Sequence, residues 1–165
     1  MESLLEVRQA TVGDAEKICE IYNWYVPNTI ITFELEPILA TEMQERISEK
    51  LQKFEWLVGE QGGEIIGYAY AGTFRARAAY DHTVESSIYL DHTKTGQGFG
   101  VMLYQALIDR CRELGFKEMI GGAALPNAAS VRIHEYLGFE KIGVFARVGY
   151  KFGEYIDVGF WQLRL

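Results

Sequence analysis

Gly96, Gly98 and Gly100 alternate with Gln97 and Phe99 at the point where a strand-like run gives way to a helix. Glycine at a helix mouth lets the backbone approach a ligand closely. The first helical turn adds unpaired N–H groups and the positive end of the helix dipole, so the chemistry on offer is anion binding, most often of phosphate. Spacing excludes two common phosphate motifs. A P-loop requires G-x-x-x-x-G-K-[ST], whereas Lys94-Thr95 precedes these glycines and nothing of that kind closes them. A dinucleotide fingerprint requires G-x-G-x-x-G, and its third glycine would fall on Val101 or Leu103. The plain alternative for any such segment is turn or capping chemistry.

Other residues carry chemistry at wider spacing. Glu85 lies near the start of the run Thr83–Leu90, where an exposed edge charge is the ordinary reading. With helices on both faces of the sheet, the same carboxylate would lose hydration and need a purpose. Asn127 follows Pro126, where it can start a turn and cap a helix or line a site. His134 falls on a short helix, most often a structural or solvated position. Arg75 and Arg77 alternate in a loop and either solvate it or hold an anion.

These residues need a scaffold, and 165 residues with 48% hydrophobic and 13% aromatic content suffice for one domain (residues 1–165) with a full core. The net charge of −7, without any basic run, argues against nucleic acid or an anionic membrane surface as partner. No apolar stretch approaches the ~18–20 residues of a membrane span, and no signal peptide precedes the first strand. Cys19 and Cys111 fall at core spacing on separate helices, which favours buried free thiols and a cytoplasmic location.

Periodicity and punctuation give the elements. A strand over 5–10 leads to a capping box at Thr11 and Asp14 and a helix with Ala15, Ile18, Cys19 and Tyr22 on one face. A loop over 28–37 carries Phe33, and Thr41 with Gln44 is expected to cap a second helix with Met43, Ile47 and Leu51 inward. Runs 56–59 and 64–73 flank Gln61-Gly62-Gly63 as a hairpin. A strand over 83–90, a long helix over 98–114 stopped by Gly115, a strand over 119–124, a helix over 128–137 stopped by Gly138, and strands near 141–148 and 154–164 complete the chain. Hairpin neighbours pair antiparallel and the strand–helix–strand crossover pairs parallel. The expectation is an α+β domain of three layers, its mixed, mostly antiparallel sheet of about seven strands covered by helices on both faces.

This order, the segment Thr95–Gly100, and Asn127 followed by Gly138-Phe139 resemble the GNAT superfamily of N-acetyltransferases. The superfamily usually has Gln or Arg where Thr95 stands, and a Tyr where His134 stands, seven positions after Asn127. Together, Thr83-Val84-Glu85-Ser86, Leu125-Pro126-Asn127, His134-Glu135 and Asp157–Leu163 resemble the phosphinothricin acetyltransferase family.

The resemblance implies acetyl-CoA as co-substrate, direct acetyl transfer to the α-amine of a small amino-acid analogue (phosphinothricin, methionine sulfoximine or methionine sulfone), no metal, and a homodimer with the aromatic tail Phe160-Trp161 as a candidate contact. It places the coenzyme on Gly96, Gln97, Gly98, Phe99, Gly100, Val101, Asn127 and Tyr136. Its pantetheine arm lies beside Ile88, Tyr89 and Leu90, where a bulged fourth strand splays from the fifth. The acceptor falls to Phe33, Arg75, Arg77 and Tyr80. Amines of pKa ~8–10 must lose a proton before attack and the departing thiolate must gain one, so Glu85 and His134 are the acid–base pair, with their roles open. Tyr136 either lines the coenzyme or backs up the acid. Two other readings are an N-acetyltransferase for a peptide N-terminus or polyamine, and a non-catalytic acyl-CoA-binding module that would have no use for Glu85 and His134.

Overall fold

In the computed structural model, which describes residues 4–165, the elements follow the expected order. They are β1 (Glu6–Gln9), α1 (Ala15–Asn28), α2 (Ala40–Leu51), β2 (Trp56–Gln61), β3 (Glu64–Thr73), β4 (Thr83–Leu90), α3 (Phe99–Glu113), β5 (Glu118–Leu125), α4 (Ala128–Tyr136), β6 (Glu140–Lys151) and β7 (Glu154–Arg164). One seven-stranded sheet runs β1-β2-β3-β4-β5-β7-β6, antiparallel except between β4 and β5.

Strand periodicity divides the core into two layers. Trp56, Val58 and Tyr68 face α1 and α2, packing on Ile18, Tyr22, Met43 and Ile47. Leu57, Ile66, Ala69, Val84 and Met119 face α3, packing on Leu103, Leu107 and Ile108. Cys19 lies in the first cluster and Cys111 in the second, so the sheet separates two buried free thiols. Among the described residues, no helix is long and apolar enough to cross a membrane.

The Thr11 N–H donates to the Asp14 carboxylate at 2.8 Å, beginning a one-turn helix (Val12–Asp14) that runs into α1. The expected cap of α2 is not formed. The helix begins at Ala40 behind Leu39, without a side-chain cap, and Thr41 lies inside its first turn. Tertiary contacts set this start: the Asn23 side chain accepts from the Ile38 N–H and donates to the Ile38 carbonyl, both at 2.9 Å.

The β4–β5 relationship matters most. Their parallel ladder joins Thr83–Ser86 to Glu118–Gly121 and then ends, although β4 continues to Leu90 and β5 to Leu125. The expected splay is present and the expected bulge is not: β4 pairs with β3 in unbroken register from Val84 to Leu90. The opening therefore comes from divergence of two strands rather than from an inserted residue.

Candidate functional site

The divergence leaves part of β4 unpaired. The Asp91 N–H donates to the Ile66 carbonyl at 2.7 Å, fixing which residues turn their amides toward β3. By alternation, the N–H and C=O groups of Ile88 and Leu90 face the side β5 has vacated. The Leu90 carbonyl is taken by the Tyr25 hydroxyl at 2.5 Å. The other amide groups there are a ready edge for an extended, amide-bearing ligand.

Beside this edge is a cavity of about 440 Å³. Ile88, Tyr89 and Leu90 line it from β4, and Gly96, Gly98, Gly100 and Val101 from the loop and α3. Asn127 and Tyr136 line it from α4. The glycines act differently from one another. Gly96 and Gly98 have φ of 76° and 83°, and a Cβ at either would meet nothing, so the loop surface is left open. At Gly100 a Cβ would lie 3.2 Å from Ile133, so that glycine serves the approach of α3 to α4. No side chain caps α3 behind Gly98, which leaves its first N–H groups to a ligand. Open glycines, an uncapped helix mouth and a free strand edge in one cavity fit a group with phosphates at one end and amides along its arm, as coenzyme A has.

Two expected members of this wall lie elsewhere. The Phe99 side chain is buried in the core against α3, leaving only its backbone at the helix mouth, and Gln97 points to solvent outside the cavity wall. Asn127 takes both of its readings. Its Oδ1 caps α4 by accepting from the Ser130 N–H at 3.1 Å, and the residue also lines the cavity. Arg132, which the sequence did not single out, adds a cationic side chain to this wall.

A second cavity, about 630 Å³, contains Glu85, Arg75, Tyr80, Phe74, Ile120 and Gln162, with Ile142–Phe145 of β6 as one wall. Burial raises the Glu85 pKa above the usual carboxylate range, and the Lys50 ammonium partly opposes this. Arg75 packs 4.9 Å from the Phe74 ring centroid and 5.5 Å from that of Tyr80, and donates to the Tyr80 hydroxyl at 3.4 Å. Arg77 is not on this wall: the chain bends there into the one-turn helix Ala78–Tyr80, and its side chain is exposed. Phe33 is also absent. Its ring covers Gly149 of β6, so closely that a Cβ there would lie 2.4 Å from it.

His134 is only 3% exposed. Its Nδ1 lies 2.7 Å from the Ser130 carbonyl and its Nε2 3.0 Å from the Tyr104 hydroxyl. A carbonyl accepts only, so Nδ1 carries the proton and Nε2 accepts from Tyr104. Burial holds the imidazole pKa below its ordinary value, with the Ser130 bond opposing. Tyr104 is in turn 2.6 Å from the Ser86 hydroxyl. Ser86, Tyr104 and His134 line a small cavity of about 70 Å³ at the start of the splay, together with Ile88 and Asn127. Gly121 makes this packing feasible, since a Cβ there would lie 2.3 Å from His134 Nε2.

Glu85 and His134 occupy opposite faces of the sheet. On β4, Ser86 and Ile88 turn toward α3 and α4, whereas Glu85 shares its face with Tyr89 and lies near Lys50 of α2. The gap between β4 and β5 is the place where the two faces communicate. Tyr136 does not back up His134: two residues further on it has turned to the far side of α4, is 77% exposed and belongs to the first cavity.

Comparison with known proteins accords with this geometry. Residues 7–159 match the model of the acetyltransferase (GNAT) domain. The chain is 40% identical over 158 residues to phosphinothricin N-acetyltransferase of Streptomyces viridochromogenes, covering 96% of this chain and 86% of that one. It is 38% identical over 161 residues to the L-methionine sulfoximine/L-methionine sulfone acetyltransferase of Pseudomonas aeruginosa, covering 96% and 94%. A Sinorhizobium meliloti phosphinothricin acetyltransferase, solved in complex with acetyl-CoA, superposes with a TM-score of 0.94 at 38% identity, covering 100% of this chain and 89% of its own. The chain belongs to the GNAT acetyltransferase family.

Proposed function

We propose that the protein is an acetyl-CoA-dependent N-acetyltransferase acting on the α-amine of a small amino-acid analogue of the phosphinothricin, methionine sulfoximine or methionine sulfone type. The observation that carries this reading is the pocket in which Glu85, Arg75 and Tyr80 stand together, with Glu85 one residue short of the point where β4 and β5 part. Relatives at 40% and 38% identity, named for those acceptors, support it.

In this reading the phosphates rest on the α3 mouth with Arg132 nearby, and the pantetheine amides pair with Ile88 and Leu90. Glu85, a stronger base than an exposed glutamate, takes the proton of the incoming ammonium. The Ile88 N–H polarises the thioester carbonyl. Arg75 offers a forked donor set to the acceptor's carboxylate or phosphinate, which suits an anionic amino acid better than a polyamine. The enzyme is further proposed to be cytoplasmic and to work as a homodimer. The second proposal draws on the exposed apolar edge of β6, with Ile142, Val148 and Tyr150 each about 60% exposed.

Thiol release from acetyl-CoA, measured against phosphinothricin, methionine sulfoximine, methionine sulfone, spermidine and a free-amine peptide, tests the assignment. The expected result is turnover with the amino-acid analogues well above that with spermidine or peptide. A reversed order would overturn the acceptor class, and no release with any acceptor would leave an acyl-CoA-binding module.

A further inference from the structure

Both nitrogens of His134 are engaged inside the protein, Nδ1 by the Ser130 carbonyl and Nε2 by the Tyr104 hydroxyl. Any proton exchanged between His134 and the reacting atoms must therefore pass the Tyr104 oxygen or break that bond. Tyr104 is 1% exposed, and with its own proton on His134 its oxygen accepts from the Ser86 hydroxyl at 2.6 Å, a shorter bond than the 3.3 Å alternative to the Ile120 carbonyl. Ser86 is the last β4 residue paired with β5, so this chain of hydroxyls ends where the strands part. No ionised group joins the chain; its neighbours are the rings of Phe139 and Trp161, which pack on His134.

We propose that Tyr104 is a positioning residue for the transfer reaction, which holds His134 as the Nδ1–H tautomer and relays a proton, through Ser86, between Nε2 and the small cavity at the start of the splay. The proposal rests on the acetyltransferase reading above. Over one turnover the C–N bond forms, the C–S bond breaks, and the ammonium loses two protons. One leaves through Glu85 to solvent. The other passes from nitrogen to the Ser86 oxygen as the Ser86 proton shifts to the Tyr104 oxygen and the phenolic proton to His134 Nε2, and the reverse shifts return a proton to the sulfur. His134, neutral at rest, stores this proton between bond formation and bond cleavage.

Tyr104→Phe removes one oxygen and keeps the ring. With acetyl-CoA its kcat is expected to fall about ten- to a hundred-fold, within the range of general acid–base effects, while the KM for acetyl-CoA stays near that of wild type. The deficit should shrink with an acetyl thioester of a more acidic thiol, because that sulfur leaves without protonation. The His134 titration, followed by NMR and assigned by its loss in His134→Gln, should move upward, since the lost bond stabilised the neutral ring. Wild-type turnover is the control that separates failure of the relay from failure of the acetyltransferase assignment. Unchanged kcat in Tyr104→Phe overturns the relay. So does an equal loss with both donors and an unmoved His134 titration, which would mark a purely structural phenol. Should Tyr104→Phe not fold, Ser86→Ala must show the same donor-dependent loss, or the proposal falls.

Discussion

At the residue scale the site is governed by what burial does to two titratable groups. Glu85 is half-buried, and desolvation raises its pKa against the opposing charge of Lys50. As pH falls through that raised value the carboxylate is protonated and the proposed base is lost. Wild-type kcat/KM should therefore climb with pH along a limb lying above the ~4.3 of a free glutamate. Glu85→Gln keeps the shape but cannot accept a proton, so its kcat should be about 10²–10⁴ lower at neutral pH. That deficit should narrow at alkaline pH, where the amine arrives neutral, and acetyl-CoA affinity should be retained. Steady-state kinetics from acid to alkaline pH check this, and full activity at neutral pH would remove Glu85 as the base.

The arginines separate on the same scale. Only Arg75 is braced by Phe74 and Tyr80 within the Glu85 pocket. Arg75→Ala should raise the KM for an anionic acceptor about ten- to a hundred-fold, the worth of a charge-assisted contact at ~1.5–3 kcal/mol. Arg77→Ala should leave it near wild type. Equal effects from both variants would mean that the loop rearranges around its ligand.

At the element scale, the chain's own pattern specifies the order of helices and strands, because most of them have an apolar period or glycine or proline punctuation. The hairpin at Gln61–Gly63 and the stops at Gly115 and Gly138 stand as expected, each of these glycines with positive φ. What local pattern misses is set by distant partners. The start of α2 follows from Asn23 gripping Ile38, and the burial of Phe99 follows from the core under α3. The pairing of His134 with Tyr104 joins residues 30 positions apart. Spacing within the glycine run could not tell Gly100, required for helix packing, from Gly98, required for conformation and open space. This difference yields a prediction. Gly98→Asp places a carboxylate at the uncapped mouth of α3 without touching the core, so the fold should persist while acetyl-CoA binding weakens strongly. Calorimetry on the folded variant tests it, and unchanged affinity would remove the phosphate cradle.

At the scale of the whole molecule, the least economical surface is the β6–β7 hairpin. Trp161, expected as a contact of the aromatic tail, is 1% exposed and belongs to the core, and Phe160 faces the Glu85 pocket. The exposed apolar residues lie instead on β6 and the hairpin tip: Val148 60%, Tyr150 61%, Phe152 59% and Tyr155 60%. An unpaired, apolar edge strand is an aggregation hazard unless something covers it, and a second copy of the chain is the economical cover. The same strand supplies Ile142–Phe145 to the Glu85 pocket, so a partner seated on its outer part would brace the acceptor wall without touching the glycine loop. Val148→Glu combined with Tyr150→Glu should therefore dissociate the proposed homodimer to a monomer in sedimentation. It should raise the acceptor KM while leaving acetyl-CoA affinity nearly unchanged. A wild-type protein that sediments as a monomer at assay concentration would overturn the dimer. A dissociated variant with unaltered acceptor kinetics would uncouple the interface from the site, because each protomer would then hold its β6 wall in place alone.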